Sequence, residues 1–272
     1  MTRSALDRAW RTLFTGSAFL LFFLGGALLS YVALPLARLA RGSPEVKARR
    51  CRRIVGRAWM LFHDYMRVTR LLQYDPRRTA LALPAGPFVL VANHPTLIDV
   101  TAIVAAHPEI VFVVKRPMYR SPLLGRLLRS CGHIDAGNGG PFAGLAVMES
   151  ALERLRAGVP VLIFPEGTRS PERGLHRFNP GAFQIAAQAG VPLVPLLITC
   201  DPPTLKRGAP WYRVPGRTVE LRVTQLPSLP PGDGGAARDA ERTRRLYLEA
   251  LEPAPYAPAA PPSRAPSLMA DA

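Results

Sequence analysis

A histidine and an aspartate stand five positions apart where an apolar stretch, FVLVANHPTLID at residues 88–99, turns polar. Residues 88–92 are apolar and mostly favour extended structure, which predicts a buried strand. The strand ends just before His94, and ligands of open α/β sheets bind at the carboxyl ends of strands. Histidine titrates near neutrality and is therefore suited to proton transfer. The stretch thus predicts a His94–Asp99 contact in a crevice.

Pro95 predicts how these two side chains meet. Proline lacks an N–H and has a fixed φ, so it fits the first position of a helix better than its interior. We therefore expect a helix from Pro95, with His94 just before it and Asp99 in its second turn. Positions five apart within one regular helix would differ by roughly 140°, so the contact requires His94 to lie outside that helix.

A second polar loop, FPEGTRS at residues 164–170, also follows a strand-like run. Gly167 allows close approach of the backbone, Thr168 adds a hydroxyl, and Arg169 can bind a phosphate or carboxylate with two parallel bonds. Such a loop alone is a weak signal. Two polar loops at the ends of neighbouring strands are stronger, because both should face one crevice.

The two motifs NHPTLID and FPEGTRS, in this order and about 70 residues apart, resemble those of the lysophosphatidic acid acyltransferase (1-acylglycerol-3-phosphate O-acyltransferase) superfamily. The resemblance covers about residues 85–200. It implies transfer of an acyl group from an acyl-CoA or acyl-carrier-protein thioester to a lysophospholipid hydroxyl at a membrane surface. It implies neither a cofactor nor a metal, and no covalent acyl-enzyme is expected because no GxSxG motif is present.

The resemblance also implies the site residues. His94 would be the general base and Asp99 would orient it. From geometry alone, and not from the resemblance, backbone N–H groups at the start of the helix after Pro95 are a hypothesis for stabilising the oxyanion. The residues implied to bind substrate share polar or glycine side chains in the loops after two strands: Glu166, Gly167, Thr168, Arg169, Lys115 and Arg116.

One position departs from the family pattern. A block that usually ends in Ile-Asp-Arg, whose arginine helps hold the acceptor phosphate, here ends in Ala136. Two acceptors therefore stay open: lysophosphatidate, giving phosphatidic acid, or a non-phosphate alcohol such as a lyso-ornithine lipid or a polyene-lipid precursor. A third alternative is a non-catalytic lipid-binding protein on the same fold. His133 is either a substitute contact or, more simply, a structural residue.

The body of the chain alternates between strand-like and helix-like runs. This pattern predicts an α/β fold with a mostly parallel sheet flanked by helices, and the resemblance makes it glycerolphosphate-acyltransferase-like. The strand-like runs lie at 88–92, 110–114, 160–164, 193–199 and 218–226. The helix-like runs lie at about 97–106, 120–130, 142–157 and 180–189.

The N-terminal region predicts membrane association. Residues 12–37 carry no charge, and this run is long enough to form a helix that spans a membrane. Gly25-Gly26 and Pro35 also allow a bent helix that stays within one leaflet. Arginines cluster after this run, so the positive-inside rule places the rest of the chain in the cytoplasm, on the bacterial inner membrane. Residues 44–75 predict an interfacial amphipathic helix, in which His63-Asp64 is a partly exposed polar pair.

Composition limits the partners. The net charge is +16, almost entirely from arginine, and indicates an anionic partner; without a nucleic-acid-binding motif, a phospholipid surface is favoured over nucleic acid. The three cysteines have neither disulfide nor zinc spacing. We predict a membrane region at 1–80, an acyltransferase domain at 81–252 and a disordered Pro/Ala-rich tail at 253–272.

Overall fold

The structure is a computed structural model that describes residues 3–139, 141–206, 208–232 and 235–251. The tail at 253–272 lies outside these residues. Within them the chain forms one sheet with helices on its faces, which confirms the predicted α/β class. The strands are β1 (Leu72–Gln73), β2 (Val89–Ala92), β3 (Val111–Val114), β4 (Ile134–Asp135), β5 (Val161–Ile163), β6 (Leu193–Asp201) and β7 (Val219–Gln225).

The sheet has the order β1-β7-β6-β2-β5-β3-β4, with β2 near its centre. All neighbouring strands are parallel except β6 and β7, which pair antiparallel. Every residue of β2 is buried, as expected for an apolar strand covered on both faces. Because β2, β5, β3 and β4 pair in parallel, their carboxyl ends lie along the same edge of the sheet.

The helices account for the remaining regular structure. They are α1 (Arg3–Leu28), α2 (Leu34–Leu39), α3 (Pro44–Val68), α4 (Asp99–Ala106), α5 (Arg116–Tyr119), α6 (Gly125–Cys131), α7 (Pro141–Arg156), α8 (Gly181–Ala189) and α9 (Ala236–Leu251). A π-helical turn, Leu29–Ala33, joins α1 to α2, and a 3₁₀ turn lies at Pro76–Arg78. Sequence patterns missed α5 and α9, and the helix predicted at about 120–130 corresponds to α6 but begins too early.

Ala5–Leu39 is long and apolar enough to cross a membrane, and only 17% of its most apolar window is buried. The helix nevertheless packs on the protein: Trp10 Nε1 donates to the carbonyl of Thr69 at 3.0 Å, and Ser30 Oγ donates to that of Leu123 at 2.7 Å. Ala18 of α1 shares a core with Leu90 of β2. Residues on both sides of position 80 thus pack together, and the predicted domain division stays a prediction.

Helix α3 begins where Ser43 accepts a hydrogen bond from the Val46 N–H, with Pro44 as its first residue. Its aromatic-rich face was expected to meet lipid. In the structure Phe62 and Met66 of that face are buried in the same core as β2, so this part of the expectation is wrong. The His63 ring is also fully buried and contacts Thr101 Oγ1 at 3.1 Å, whereas Asp64 forms salt bridges with arginines.

Candidate active site

His94 and Asp99 are in direct contact beyond the end of β2. His94 Nδ1 lies 2.7 Å from Asp99 Oδ2. Helix α4 begins at Asp99, not at Pro95 as predicted, and the residues between them form a turn. The Thr96 N–H donates to Asp99 Oδ2 at 2.9 Å. This N–H, expected to face an oxyanion, instead fixes the carboxylate that holds the imidazole.

The dyad sits in an asymmetric environment. Asp99 is fully buried, whereas the His94 side chain is 20% exposed and its ring stacks on Phe164 at a centroid distance of 4.5 Å. Burial raises the pKa of Asp99 to about 6, and the hydrogen bond from His94 opposes that rise. With Nδ1 directed at Asp99, the ring nitrogen left to take up a proton is Nε2.

Replacing Asp99 by asparagine should separate activity from stability. An acid whose pKa is raised in the folded state stabilises the fold below its unfolded pKa, and this contribution is lost as pH rises through about 6. The ionised carboxylate then costs on the order of 2–3 kcal/mol. We expect Asp99→Asn to raise Tm at pH 8, with the gain shrinking towards pH 5, while acyl transfer falls by about 10³-fold because the amide favours the wrong tautomer.

Thermal unfolding across pH 5–8 and initial rates on the same samples test this. Equal Tm values for the variant and the original chain throughout that range would contradict the buried ionised carboxylate.

Asn93 positions the histidine, and sequence reasoning missed it. Its amide Nδ2 donates to the carbonyl of Ile198 at 2.8 Å, and its Oδ1 accepts from the N–H of Ile198 at 2.7 Å. The side chain thereby continues the β2–β6 pairing one residue past the strand, at a buried position. A polar amide directly after a buried apolar strand was the available signal.

Glu166 lies at a different place from the one expected of an acceptor ligand. Its Oε1 accepts from Ser170 Oγ at 2.5 Å and from the His94 N–H at 3.3 Å, and its Oε2 accepts from the His176 N–H at 2.9 Å. The residue is 6% exposed and does not line the cavity described below. Its carboxylate links the FPEGTRS loop to the backbone of His94 by a hydrogen bond. Acceptor binding by Glu166 stays a prediction.

An apolar cavity of about 580 Å³ opens beside His94. Of the predicted substrate-binding residues, Lys115, Gly167, Thr168 and Arg169 line it. Arg116 does not; its Nε lies 3.1 Å from Asp135 Oδ2 instead. Gly167 has a φ of +65°, which a side chain would strain, so this position favours glycine. The cavity is thus lined by both predicted motif loops, the one at His94 and the one at residues 164–170.

The cavity extends away from the dyad between α1, α3 and the sheet. Its far walls are aromatic and aliphatic, and include Phe22, Trp59 and Phe62. Ala136 also lines it, at the position where the family pattern has arginine. His133 is 4% exposed, and its Nδ1 accepts from the Phe112 N–H at 3.3 Å. Burial lowers the pKa of His133 to about 3, so its ring is neutral; the residue also lines the cavity, and its contact with an acceptor stays a prediction.

Among the residues that the structure describes, no cluster of histidine, cysteine, aspartate or glutamate side chains could hold a metal ion. All three cysteines, Cys51, Cys131 and Cys200, are free thiols. Burial raises the pKa of Cys200 to about 11, which disfavours the nucleophilic thiolate.

Comparison with known proteins points to one family. The Acyltransferase family model matches residues 73–199, which include both motifs. A protein of Chlamydomonas reinhardtii named 1-acyl-sn-glycerol-3-phosphate acyltransferase is 28% identical over 65% of this chain and 52% of its own length. A Salmonella typhimurium protein of the same name is 34% identical over 47% and 53%, respectively.

The solved structure of the Thermotoga maritima 1-acyl-sn-glycerophosphate (LPA) acyltransferase, PlsC, shares the fold. It covers 91% of this chain and 97% of its own, with a TM-score of 0.61 and 18% identity. The chain spans about half the length, or less, of the curated relatives that it matches first. Residues 73–199 match the Acyltransferase family, and the similarity of this region to named 1-acyl-sn-glycerol-3-phosphate acyltransferases confirms the resemblance to the lysophosphatidic acid acyltransferase superfamily that the two motifs indicated.

Proposed function

We propose that this protein transfers a fatty acyl group from an acyl-CoA or acyl-carrier-protein thioester to a lysophospholipid hydroxyl. The first candidate acceptor is 1-acylglycerol-3-phosphate, which would give phosphatidic acid. The observation that carries the proposal is the His94–Asp99 pair, at 2.7 Å, beside a long apolar cavity. A pair of this kind is suited to deprotonating an alcohol, and the cavity is suited to a hydrocarbon chain.

In the proposed reaction, His94 Nε2 removes the proton of the acceptor hydroxyl as its oxygen attacks the thioester carbonyl. The tetrahedral intermediate then collapses, the C–S bond breaks, and the imidazolium returns the proton to the departing thiolate. Asp99 stabilises the imidazolium and holds its ring in place. General-base assistance of this kind contributes about 10² to 10⁴ in rate.

The polar end of the cavity supports an anionic acceptor. Lys115 and Arg169 both line the cavity and carry positive charge, and the charge of Arg169 acts on Asp99. Arg169 Nη1 also donates to the carbonyl of Leu205 at 2.6 Å, which holds the guanidinium in a fixed position. A fixed arginine loses little conformational freedom on binding a phosphate, so these two residues could compensate for the missing arginine at position 136.

Ala136 supports the second candidate, the same reaction on an alcohol without a phosphate. It lines the cavity with a methyl group, and the neighbouring Arg116 is paired with Asp135. An uncharged acceptor would need no cation at this position. The acyltransferase mechanism is the same for both candidates.

We also propose that the protein works at a membrane. The apolar helix Ala5–Leu39 would hold it there, with the catalytic domain on the cytoplasmic face of the bacterial inner membrane, where arginines flank the helix. Acyl-CoA and acyl carrier protein would meet the site from the aqueous side, and the lysophospholipid would come from the bilayer.

An acceptor panel tests the proposal. The full chain in mixed micelles is given labelled acyl-CoA or acyl carrier protein, with lysophosphatidate or an uncharged lyso-lipid. We expect selective acylation of lysophosphatidate. Ala136→Arg should then lower the KM for lysophosphatidate by about tenfold through one charge-assisted bond, whereas the neutral Ala136→Gln should not.

Efficient acylation of the uncharged acceptor, without preference for lysophosphatidate, would favour the second candidate. Failure to transfer acyl groups to any acceptor would reject the enzyme assignment in favour of a lipid-binding protein.

A further inference from the structure

The connection between β6 and β7 packs against the N-terminal helix. We call residues 208–218 the β6–β7 segment. Two ring atoms of Trp211 in this segment would lie only 3.2 Å from a Cβ atom at Gly16, so the indole rests directly on the backbone of α1. The same indole is 6.1 Å from the Phe19 ring, measured between centroids. The absence of a side chain at Gly16 therefore makes room for Trp211.

The aromatic residues of this segment are exposed although they are large. Trp211 is 46% exposed and Tyr212 is 60% exposed. Leu13 and Leu20 of α1 are 68% and 60% exposed, and they lie three residues before and four residues after Gly16, on the same side of the helix. Leu13, Leu20, Trp211 and Tyr212 thus form one apolar surface, which we call the aromatic patch.

Positive charge borders the aromatic patch. Arg213 directly follows Tyr212, and Arg217 lies four residues further on; both are exposed. Arg217 Nη2 lies 2.7 Å from Asp201 Oδ2, in a salt bridge in which both side chains are exposed to solvent. Tryptophan and tyrosine rings favour the headgroup level of a bilayer, and nearby arginines favour anionic lipids. The chemistry of the patch therefore fits a phospholipid surface.

The segment also reaches the candidate active site. Val214, Pro215 and Arg217 line the same cavity as His94. Leu205, shortly before the segment, also lines the cavity, and its carbonyl accepts the hydrogen bond from Arg169. One stretch of chain therefore connects the exposed aromatic patch to the mouth of the cavity.

We propose that the aromatic patch docks on an anionic phospholipid bilayer, so that the cavity mouth faces acceptor molecules lying in that bilayer. This contact extends the membrane surface of the apolar helix, which contributes Leu13 and Leu20, to the β6–β7 segment. Its catalytic consequence rests on the proposed acyltransferase function. Its lipid contact does not, so the two are tested separately.

The contact is tested with Trp211 as the sole tryptophan. Trp10→Phe and Trp59→Phe keep an aromatic ring at both other tryptophan positions, and circular dichroism checks the fold. The full chain is mixed with phosphatidylglycerol-containing vesicles whose lipids carry bromine at a known depth. We expect lipids brominated near the headgroup to quench Trp211 fluorescence. As a matched measurement, Trp211→Phe in the otherwise unchanged chain should lose that part of the quenching.

Absence of quenching at Trp211 in vesicle-bound protein would overturn the proposal. A change in oligomeric state on replacing Trp211 and Tyr212, without a change in lipid contact, would instead assign the aromatic patch to a second copy of the chain and would also overturn it.

The catalytic consequence is tested with Trp211→Ser/Tyr212→Ser. Acyl transfer to lysophosphatidate in anionic vesicles should fall by about tenfold, since interfacial anchoring weakens, while transfer in detergent micelles should stay within about twofold. Equal losses in both assays would contradict a membrane role for the patch. If the original chain transfers no acyl group in either assay, the acyltransferase function fails, but the quenching result still decides the lipid contact.

Discussion

Replacing His94 by alanine should lower kcat for acyl transfer by about 10³-fold or more, because the acceptor hydroxyl then has no positioned base. The KM for the acceptor should change little, since the cavity and its cations remain. Thermal stability should fall at neutral pH, because the fully buried Asp99 carboxyl loses the hydrogen bond from His94 that opposes the rise in its pKa. Steady-state rates with labelled acyl donor and thermal unfolding measure both effects.

The matched control is His176→Ala. The His176 residue is exposed, and its contact with Glu166 uses the backbone N–H, which alanine retains. Its kcat should therefore stay close to that of the original chain. Turnover by His94→Ala within tenfold of the original value would exclude His94 as the general base.

Glu166→Ala should lower both activity and stability. The variant loses three hydrogen bonds to a buried carboxylate. The Ser170 hydroxyl and the His176 N–H lose this acceptor, whereas the His94 N–H keeps its contact with Ser170 Oγ at 3.1 Å. We expect a cost of about 3–5 kcal/mol in the free energy of unfolding, and a fall in kcat of about 10²-fold or more as His94 shifts. Glu166→Gln should also be impaired, because its NH₂ group cannot accept from the backbone of His176.

The kinetic parameters distinguish the two roles of this glutamate. A positioning role lowers kcat and Tm together and leaves the acceptor KM within a few-fold. A direct acceptor ligand raises KM and leaves Tm unchanged. Glu172→Ala, an exposed glutamate in the same region, is the control and should behave like the original chain.

The sequence predicted the parts of the fold that follow from local pattern. The continuous apolar run before His94 indicated a central buried strand, and β2 is one. Alternating strand and helix patterns indicated the parallel part of the sheet. The two-residue strands β1 and β4 escaped prediction because so short a segment has no periodicity, and α9 was missed among the polar residues near the C-terminus.

The start of α4 shows a limit of local rules. Pro95 suits the start of a helix. However, the Asp99 side chain accepts a hydrogen bond from the Thr96 N–H, and the residues between Pro95 and Asp99 form a turn instead. A side chain that bonds to nearby backbone competes with helix formation, and proline statistics do not include that competition. The His94–Asp99 contact was expected for a different geometric reason from the one observed.

The candidate site was foreseen in its residue types more than in their arrangement. Both motifs do lie at neighbouring strand ends, because β2 and β5 are parallel partners. The partners in long-range contacts carried no local signal: Asn93 pairs with Ile198, 105 positions away, and Arg116 forms a salt bridge with Asp135. Such partners are set by the assembled sheet and could not be read from either segment alone.

The hydrogen bonds from Trp10 and Ser30 of the N-terminal helix have a practical consequence for protein production. Deleting the first 39 residues is an obvious way to obtain a soluble fragment. Here the deletion would also remove Phe22, whose ring lies 5.2 Å from that of Trp59, and would open one wall of the cavity to water. A fragment made in this way would keep its dyad but lose the compartment beside it, so detergent extraction of the intact chain is the better starting point.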